Sequence, residues 1–333
     1  MKDMIMDLQD PAALPDPTGR VTVVQTHISI VFVADAFVYK IKKPVNFGFL
    51  DFSTLEKRRY YCHREIELNR RLSRDLYLDV LPVTLQGTTH TLRKTGGEAV
   101  EYAVWMKRIP DDRLMKSVFA RDEITENHLR QIAEVVAGFH AEAAMTPEIT
   151  AFGSPQRFKI NTDENFEQIS RYIGITVSKK QFQGLKGWTE DFYRSNQSLF
   201  MERIAHGRIR DCHGDLHMEH ICLTKDLPIF DCIEFNDRFR YSDTIADIAF
   251  LLMDLEYRGA ADLARTLWDY YKDLAREEEM DALLTFYKVY RAVVRGKVNG
   301  FQVDDASIGE EEKERAVLTA KKYFELASSY IGI

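Results

Sequence analysis

Apolar residues alternate with polar ones over short runs in the first hundred residues, then recur at three- and four-residue spacings along most of the remainder. The first pattern predicts strands and the second helices. Val21–Val24 and Ile28–Val33 read as two strands around a turn at Gln25-Thr26-His27, and after a turn at Asp35, Phe37–Ile41 reads as a third. Their close spacing leaves no room for a crossover helix, so the chain opens as an antiparallel meander. A helix follows, with Ser53 as N-cap, Glu56 three residues on and Phe52 as the preceding apolar contact. It should run to about Arg71 with Leu55, Cys62, Ile66 and Leu72 inward. Val80–Val83, Thr88–Arg93 and Ala103–Met106 predict three more strands.

Beyond them the period is helical. A helix is expected from Thr125 toward His140, with Leu129, Ile132, Val136 and Phe139 on one face. Residues 141–180 read as irregular, with a short helix near Asn165–Tyr172. Trp188–His206, Thr244–Leu255, Ala261–Glu277, Leu283–Val298 and Glu310–Tyr330 complete the helical set. The pattern is α+β in two lobes: an antiparallel sheet lobe over 21–109, and a helix-rich lobe over 110–333. Residues 1–20, with Pro11, Pro15, Pro17 and Gly19, read as a flexible lead-in.

Composition adds limits. The 333 residues are 45% hydrophobic and 29% charged with a net charge of −7, ordinary for a globular protein. No basic excess points to nucleic acid as partner, and an acidic ligand would be held by a few focused residues. Met1–Asp10 lacks a signal-peptide core, and the apolar run Ile248–Met253 is too short for a bilayer, so a cytoplasmic location without membrane contact is expected. Cys62, Cys212, Cys222 and Cys232 lack paired metal-binding spacing and read as reduced and buried.

The chemistry concentrates between residues 212 and 236. Cys212-His213-Gly214-Asp215-Leu216-His217 places an acid in a loop, and Ile229-Phe230-Asp231-Cys232-Ile233-Glu234 places another after a short strand. Phosphoryl transfer uses such a pair, one acid to orient a hydroxyl and accept its proton, another to hold a metal on the nucleotide. A capping carboxylate in an ordered loop is the plainer reading of Asp215. Lys40 on a strand and Glu65 on the next helix could form a phosphate-holding pair, or Glu65 could be a solvated member of a charged run. Lys42 shares the face of Lys40 by the two-residue period, and Lys43 should point the other way. Glu234 could instead pair with Arg238 or Arg240. Lys288, Arg291 and Arg295 share a helix face that suits an anionic ligand or a set of salt links.

Several stretches together resemble the aminoglycoside phosphotransferase and choline kinase group, and more narrowly an uncharacterised bacterial aminoglycoside-phosphotransferase-like family. They are Thr26-His27-Ile28-Ser29, Tyr39-Lys40-Ile41-Lys42-Lys43-Pro44, Asn46-Phe47-Gly48-Phe49-Leu50-Asp51-Phe52, Asn69-Arg70-Arg71-Leu72, Asp231-Cys232-Ile233-Glu234-Phe235-Asn236 and Asp247-Ile248-Ala249-Phe250-Leu251-Leu252-Met253-Asp254. The likeness covers about residues 21–300, and its specificity lies in the combination.

The resemblance implies a two-lobed protein-kinase-like fold. It makes Asp215 the catalytic base, with His213 bracing the loop and His217 lining the acceptor cleft or capping a turn. It implies ATP as nucleotide, contacted by Lys40 or Lys42 with Glu65 behind, by the turn Thr26-His27-Ser29, and by an adenine slot at Val104 and Met106. Asp231, and more weakly Glu234, would hold Mg²⁺. His220 stands where the family's pattern has asparagine, and a nitrogen donor there suits phosphate contact, Mn²⁺ or a lost activity. Asp247 would anchor the loop from a helix, a structural role. The implied function is ATP-dependent phosphorylation of an unidentified small-molecule hydroxyl. The alternatives are a regulatory nucleotide-binding pseudokinase and adenylyl transfer to a protein acceptor. A nucleic-acid-associated activity ranks behind these.

Overall fold

The computed structural model describes residues 1–93, 97–278, 280–305 and 308–333. They form two compact units: Met1–Glu123 with Glu219–Asp237, and Ile124–Met218 with Arg238–Ile333. The first unit therefore extends past the boundary expected near Ile109 and takes back a segment from the middle of the chain.

The first unit is built on six antiparallel strands in the order β1-β2-β3-β6-β4-β5. They are β1 (Thr22–Gln25), β2 (Ser29–Val33), β3 (Phe37–Lys42), β4 (Tyr77–Gln86), β5 (Thr89–Leu92) and β6 (Ala99–Lys107). Alternation sends Ile30, Phe32, Tyr39, Ile41 and Ala103 to one face, and Val104 and Met106 to the other. The helix Leu55–Asn69 lies on the second face, with Cys62 and Ile66 in its apolar cluster. Thr54 caps it, its hydroxyl accepting from the Lys57 N–H at 3.3 Å. Ser53, expected as the cap, instead donates to Asp51 at 2.6 Å.

The other face is covered by the segment expected to be a flexible lead-in. Residues Lys2–Leu8 form a helix, and Met4, Leu8, Ala13 and Leu14 join the buried cluster of that face. Polar contacts pin the rest. The Tyr39 hydroxyl donates to Asp16 at 2.8 Å, the His90 N–H to Asp7 at 2.8 Å, and the Gly19 N–H to Asp35 at 2.6 Å. The prolines that suggested disorder occupy a short 3₁₀ turn and its flanks.

The second unit is helical apart from the two-stranded β7 (Ile209–Asp211) and β8 (Tyr241–Asp243). Thr125 caps the helix Glu126–Glu142. The stretch read as irregular contains Pro147–Ala151 and the fifteen-residue helix Pro155–Ile169, each with proline at its start, a position a helix tolerates. The long helix expected over Trp188–His206 is two, Lys179–Ser195 and Gln197–Ala205, broken at Asn196. Thr244–Tyr257, Ala261–Ala275, Asp281–Phe301 and Glu310–Ser329 follow. No described helix is long and apolar enough to cross a membrane. The four cysteines are reduced and buried.

Leu8 is fully buried. Leu8→Ala should cost about 2–5 kcal/mol in urea unfolding, the usual range for such a deletion. A loss within about 0.5 kcal/mol, as for a surface site, would return the segment to the status of a lead-in.

Candidate active site

The chemistry-bearing residues fall into two groups, one in each unit. In the first unit, β3 is an interior strand, with Lys40 opposite Val31 on β2 and Val104 on β6. Lys40 and Lys42 project from the same face toward Glu65. The Lys40 ammonium lies 2.9 Å from Glu65 Oε1 and 2.6 Å from Asp231 Oδ1. The Lys42 ammonium lies 2.6 Å from Glu65 Oε2 and also contacts Glu234 Oε1. Glu65 is fully buried and bridges two lysines. Glu234 thus pairs with Lys42; Arg238 and Arg240 pair with Glu164 and Asp211.

Three carboxylates share two ammonium groups here, and the balance decides which group is stressed. Burial works against the charge of both lysines, but Asp231, Glu65 and Glu234 hold them above the ordinary lysine value. Burial also works against Glu65, yet its two lysines bring it below the usual carboxylate range. Glu234 has one lysine, shared with Glu65, so burial and the Glu65 charge push it up.

Asp231 is held by its backbone. Its φ of 61° is left-handed, a conformation few residues except glycine, asparagine and aspartate tolerate. The Asp231 N–H donates to the Tyr77 hydroxyl at 3.1 Å, and the Cys232 N–H to Asn69 Oδ1 at 2.9 Å. Ser73 Oγ donates to the Ile229 carbonyl at 2.5 Å. The Asp231 side chain remains 41% exposed, with Oδ2 3.5 Å from His220 Nε2. His220 closes the hairpin behind it, its carbonyl accepting from the Phe230 N–H at 3.0 Å.

The Thr26–Ser29 turn uses its own amides. The Ile28 and Ser29 N–H groups both donate to Thr26 Oγ1, at 3.3 and 3.0 Å. Lys43 donates to the Thr26 carbonyl at 2.6 Å, away from the Lys40 group as the strand period requires. His27 lies at the tip, half-buried, and Ser29 is buried. Val104 and Met106 are buried in the cluster with Cys62, Ile66 and Tyr77.

In the second unit, β7 leads into His213-Gly214-Asp215. The His213 and Gly214 N–H groups donate to the two oxygens of Asp247, at 2.9 and 2.8 Å. Gly214 has φ 86°, so a side chain there would strain the turn. Arg291 donates to the Gly214 carbonyl at 2.8 Å and to the Ala246 carbonyl at 2.9 Å. Downstream, the Met218 N–H donates to Asp254 at 3.1 Å. His140 Nε2 lies 3.1 Å from Asp247 Oδ2, and its Nδ1 2.8 Å from the Tyr271 hydroxyl. A carboxylate only accepts, so Nε2 carries a proton. Burial opposes the Asp247 charge, but His140, His213 and Arg291 hold its carboxyl far below the usual range.

Asp215 is 31% exposed at its side chain, and the buried His217 places Nε2 3.5 Å from its Oδ2. His213 accepts the Asp215 N–H through Nδ1 at 3.3 Å, a bracing contact. Of the three basic residues on Asp281–Phe301, Lys288 is bound to Glu256 at 2.8 Å and Arg291 lies under the loop. Burial works against the charge of Arg295, which the Tyr323 ring and Asp215 sustain. They serve different partners and form no shared face for an anionic ligand. Tyr77 and Ser73 escaped the sequence reading because each acts on a distant backbone amide or carbonyl, which leaves no local pattern. Asn69 and Asp254 stood in family-like stretches, the one available signal.

Among solved structures, a choline/ethanolamine kinase family protein from Mesorhizobium loti aligns over 98% of this chain and 99% of its own, with TM-score 0.52 at 14% identity. A candidate aminoglycoside phosphotransferase from Ralstonia eutropha aligns over 97% of each chain, with TM-score 0.50 at 10% identity. These likenesses establish the class, a kinase-like fold with a sheet unit and a helical unit. The chain belongs to the phosphotransferase enzyme family, whose profile matches residues 55–283. Uncharacterised proteins of Mycobacterium tuberculosis and Mycobacterium bovis are 36% identical over 275 residues, covering 82% of this chain and 53% of theirs. The chain spans about half the length of these curated relatives.

Asp247→Asn should lower stability at pH 7 by about 3–5 kcal/mol, the cost of breaking a buried charge pair. The folded pKa of Asp247 lies below the unfolded value of about 3.9. Its contribution is therefore full well above that value and fades as pH falls toward the folded one. Urea unfolding from pH 7 to 3 should show a smaller acid loss in the variant than in the wild type. Equal losses would assign the acid sensitivity elsewhere.

Proposed function

We propose that this protein transfers the γ-phosphoryl group of ATP to a hydroxyl of a small molecule. The observation that carries the reading is the chain of contacts Glu65–Lys40–Asp231, in which a buried carboxylate fixes an ammonium that also meets a half-exposed acid. A nucleotide needs such a cation for its phosphates, and its metal needs such an acid. Lys40 contacts the α- and β-phosphates with Glu65 orienting it, and Lys42 supports Glu65 from the other side. The Thr26-His27-Ser29 turn covers the phosphates, and the backbone around Val104 and Met106 takes the adenine.

Asp231 fits a divalent cation: its oxygens are hard donors and its side chain is open. Glu234 fits less well, because it is buried on Lys42. His220, beside Asp231, offers nitrogen, which suits Mn²⁺ better than Mg²⁺. Bound there, the ion would neutralise charge on the β- and γ-phosphates. Asp215 accepts the proton of the acceptor hydroxyl as its oxygen bonds to the γ-phosphorus. The bond from that phosphorus to the β–γ bridging oxygen breaks, and ADP leaves. Asp247 and Arg291 hold the loop that carries Asp215, and His213 and His217 set the acid's orientation.

A regulatory nucleotide-binding role is the second reading. It is favoured by the Thr26 hydroxyl, which occupies amides that would otherwise meet phosphate, and by His220.

The test is mass-spectrometric product analysis after incubation with ATP, Mg²⁺ or Mn²⁺, and a cell extract. A phosphorylated product is expected, and Asp215→Asn should reduce its rate by at least about a hundredfold. An AMP-bearing product would move the assignment to adenylyl transfer. Nucleotide binding with no product under either metal would favour the regulatory role. His220→Asn should move the metal preference from Mn²⁺ toward Mg²⁺; an unchanged preference would remove His220 from the metal's surroundings.

A further inference from the structure

The helix Asp281–Phe301 buries a second lysine that the proposed chemistry does not use. Lys297 is 8% exposed and donates to Asn165 Oδ1 at 2.7 Å. Burial brings its ammonium down to about 8, with Arg238 acting in the same direction and Glu164 against it. Glu164 and Arg238 are themselves an ion pair, so Lys297 is the uncompensated charge of the group.

The polar atoms around it are also unspent. Asn165 turns its oxygen to Lys297, which leaves Nδ2 buried without a hydrogen bond. Asn161 donates to the Arg238 carbonyl at 3.5 Å, and its buried Oδ1 accepts nothing. Gln168 donates to Glu164 at 3.4 Å, and its buried Oε1 likewise accepts nothing. The bonds that are made fix the orientation of all three amides. Leaving such atoms unpaired costs about 1–3 kcal/mol each, so the arrangement is expensive unless something fills it. Its chemistry is specific: a cation and an amide N–H for an anion, flanked by two carbonyl oxygens that need hydroxyl donors.

We propose that this cluster binds the anionic end of a polyhydroxylated acceptor, a sugar acid or sugar phosphate, with Lys297 and Asn165 on the anion and Asn161 and Gln168 on neighbouring hydroxyls. The inference rests on the phosphotransferase reading. The same helix supplies Arg291, which holds the Gly214 carbonyl next to Asp215. Lys297 is six residues on, about 9 Å along the axis and about 120° around it. The cavity beside Asn165 is about 10 Å³ and mostly apolar, lined also by Phe166, Phe286, Val289 and Val293 with Thr162 and Tyr290, room for about one water. On this proposal the partly exposed Glu164–Arg238 pair moves to admit the ligand.

Calorimetric titration of the full chain without ATP tests this, using D-gluconate, glycerol 3-phosphate, inorganic phosphate and neutral glycerol. The wild type is expected to bind at least one of the two anionic polyols and not glycerol. Lys297→Met should weaken that binding at least about tenfold, the loss of one charged hydrogen bond. It should also raise the melting temperature, because it removes an unpaired buried charge. Failure of both anionic polyols to bind, equal binding of glycerol, or unchanged affinity in a folded Lys297→Met would each overturn the proposal. Binding of inorganic phosphate alone would reduce the site to one for a small anion and overturn it as an acceptor site. Adding ATP separates the two claims. A polyol bound through Lys297 but never phosphorylated would sink the phosphotransferase reading and leave the anion site. A phosphorylated acceptor indifferent to Lys297→Met would do the reverse.

Discussion

The buried carboxylate of Glu65 is the constraint on which the first unit depends. An ionised acid without water is costly, and two lysines on one strand offset that cost. The same two lysines then reach the segment 231–234 through Asp231 and Glu234. A strand, a helix and a returning loop are thus fixed by five charged side chains with one more negative charge than positive. That surplus is tolerable because Asp231, the outermost acid, remains in contact with water.

The second unit solves a similar problem with different parts. Its buried acid, Asp247, meets two backbone amides and a histidine. Amide dipoles supply much of what ammonium groups supply in the first unit, and Arg291 completes the loop's hydrogen bonds from the carbonyl side. A second buried network ties β8 to the helices around it, with Arg203 between Asp243 and Glu277. In both units the groups nearest the proposed chemistry are the more exposed ones, and the deeply buried charges hold them in position.

Much of this was legible in the sequence because it is periodic or local. The alternation that made strands of residues 21–42 also placed Lys40 and Lys42 on one face, and helical spacing placed Glu65 on an adjacent helix. The family-like stretches led to Asp247 as the acid that receives the loop amides, and the described contacts agree. Other features were hidden for identifiable reasons. Prolines at 11, 15 and 17 suggested disorder, because a seven-residue helix has too few turns to show a period, although Met4 and Leu8 are buried. Asn196 broke a helix that its flanking apolar residues seemed to continue. Lys297 carried no signal in the sequence, because its partner Asn165 lies 132 residues away. Glu234 was weighed against arginines near in sequence, while its partner lies on β3.

The return of Glu219–Asp237 to the first unit has a consequence for how the protein is made. Emerging from the ribosome, residues 1–123 can assemble the sheet and bring Glu65 between Lys40 and Lys42. Until residue 237 appears, that group has a surplus ammonium, and the cluster of Tyr77 and Val104 lacks Phe230. Synthesis at roughly 5–20 residues per second makes the wait on the order of ten seconds. Throughout it the nascent unit is an incomplete core with inverted charge balance. The arrival of two carboxylates would complete both the electrostatics and the packing in one step.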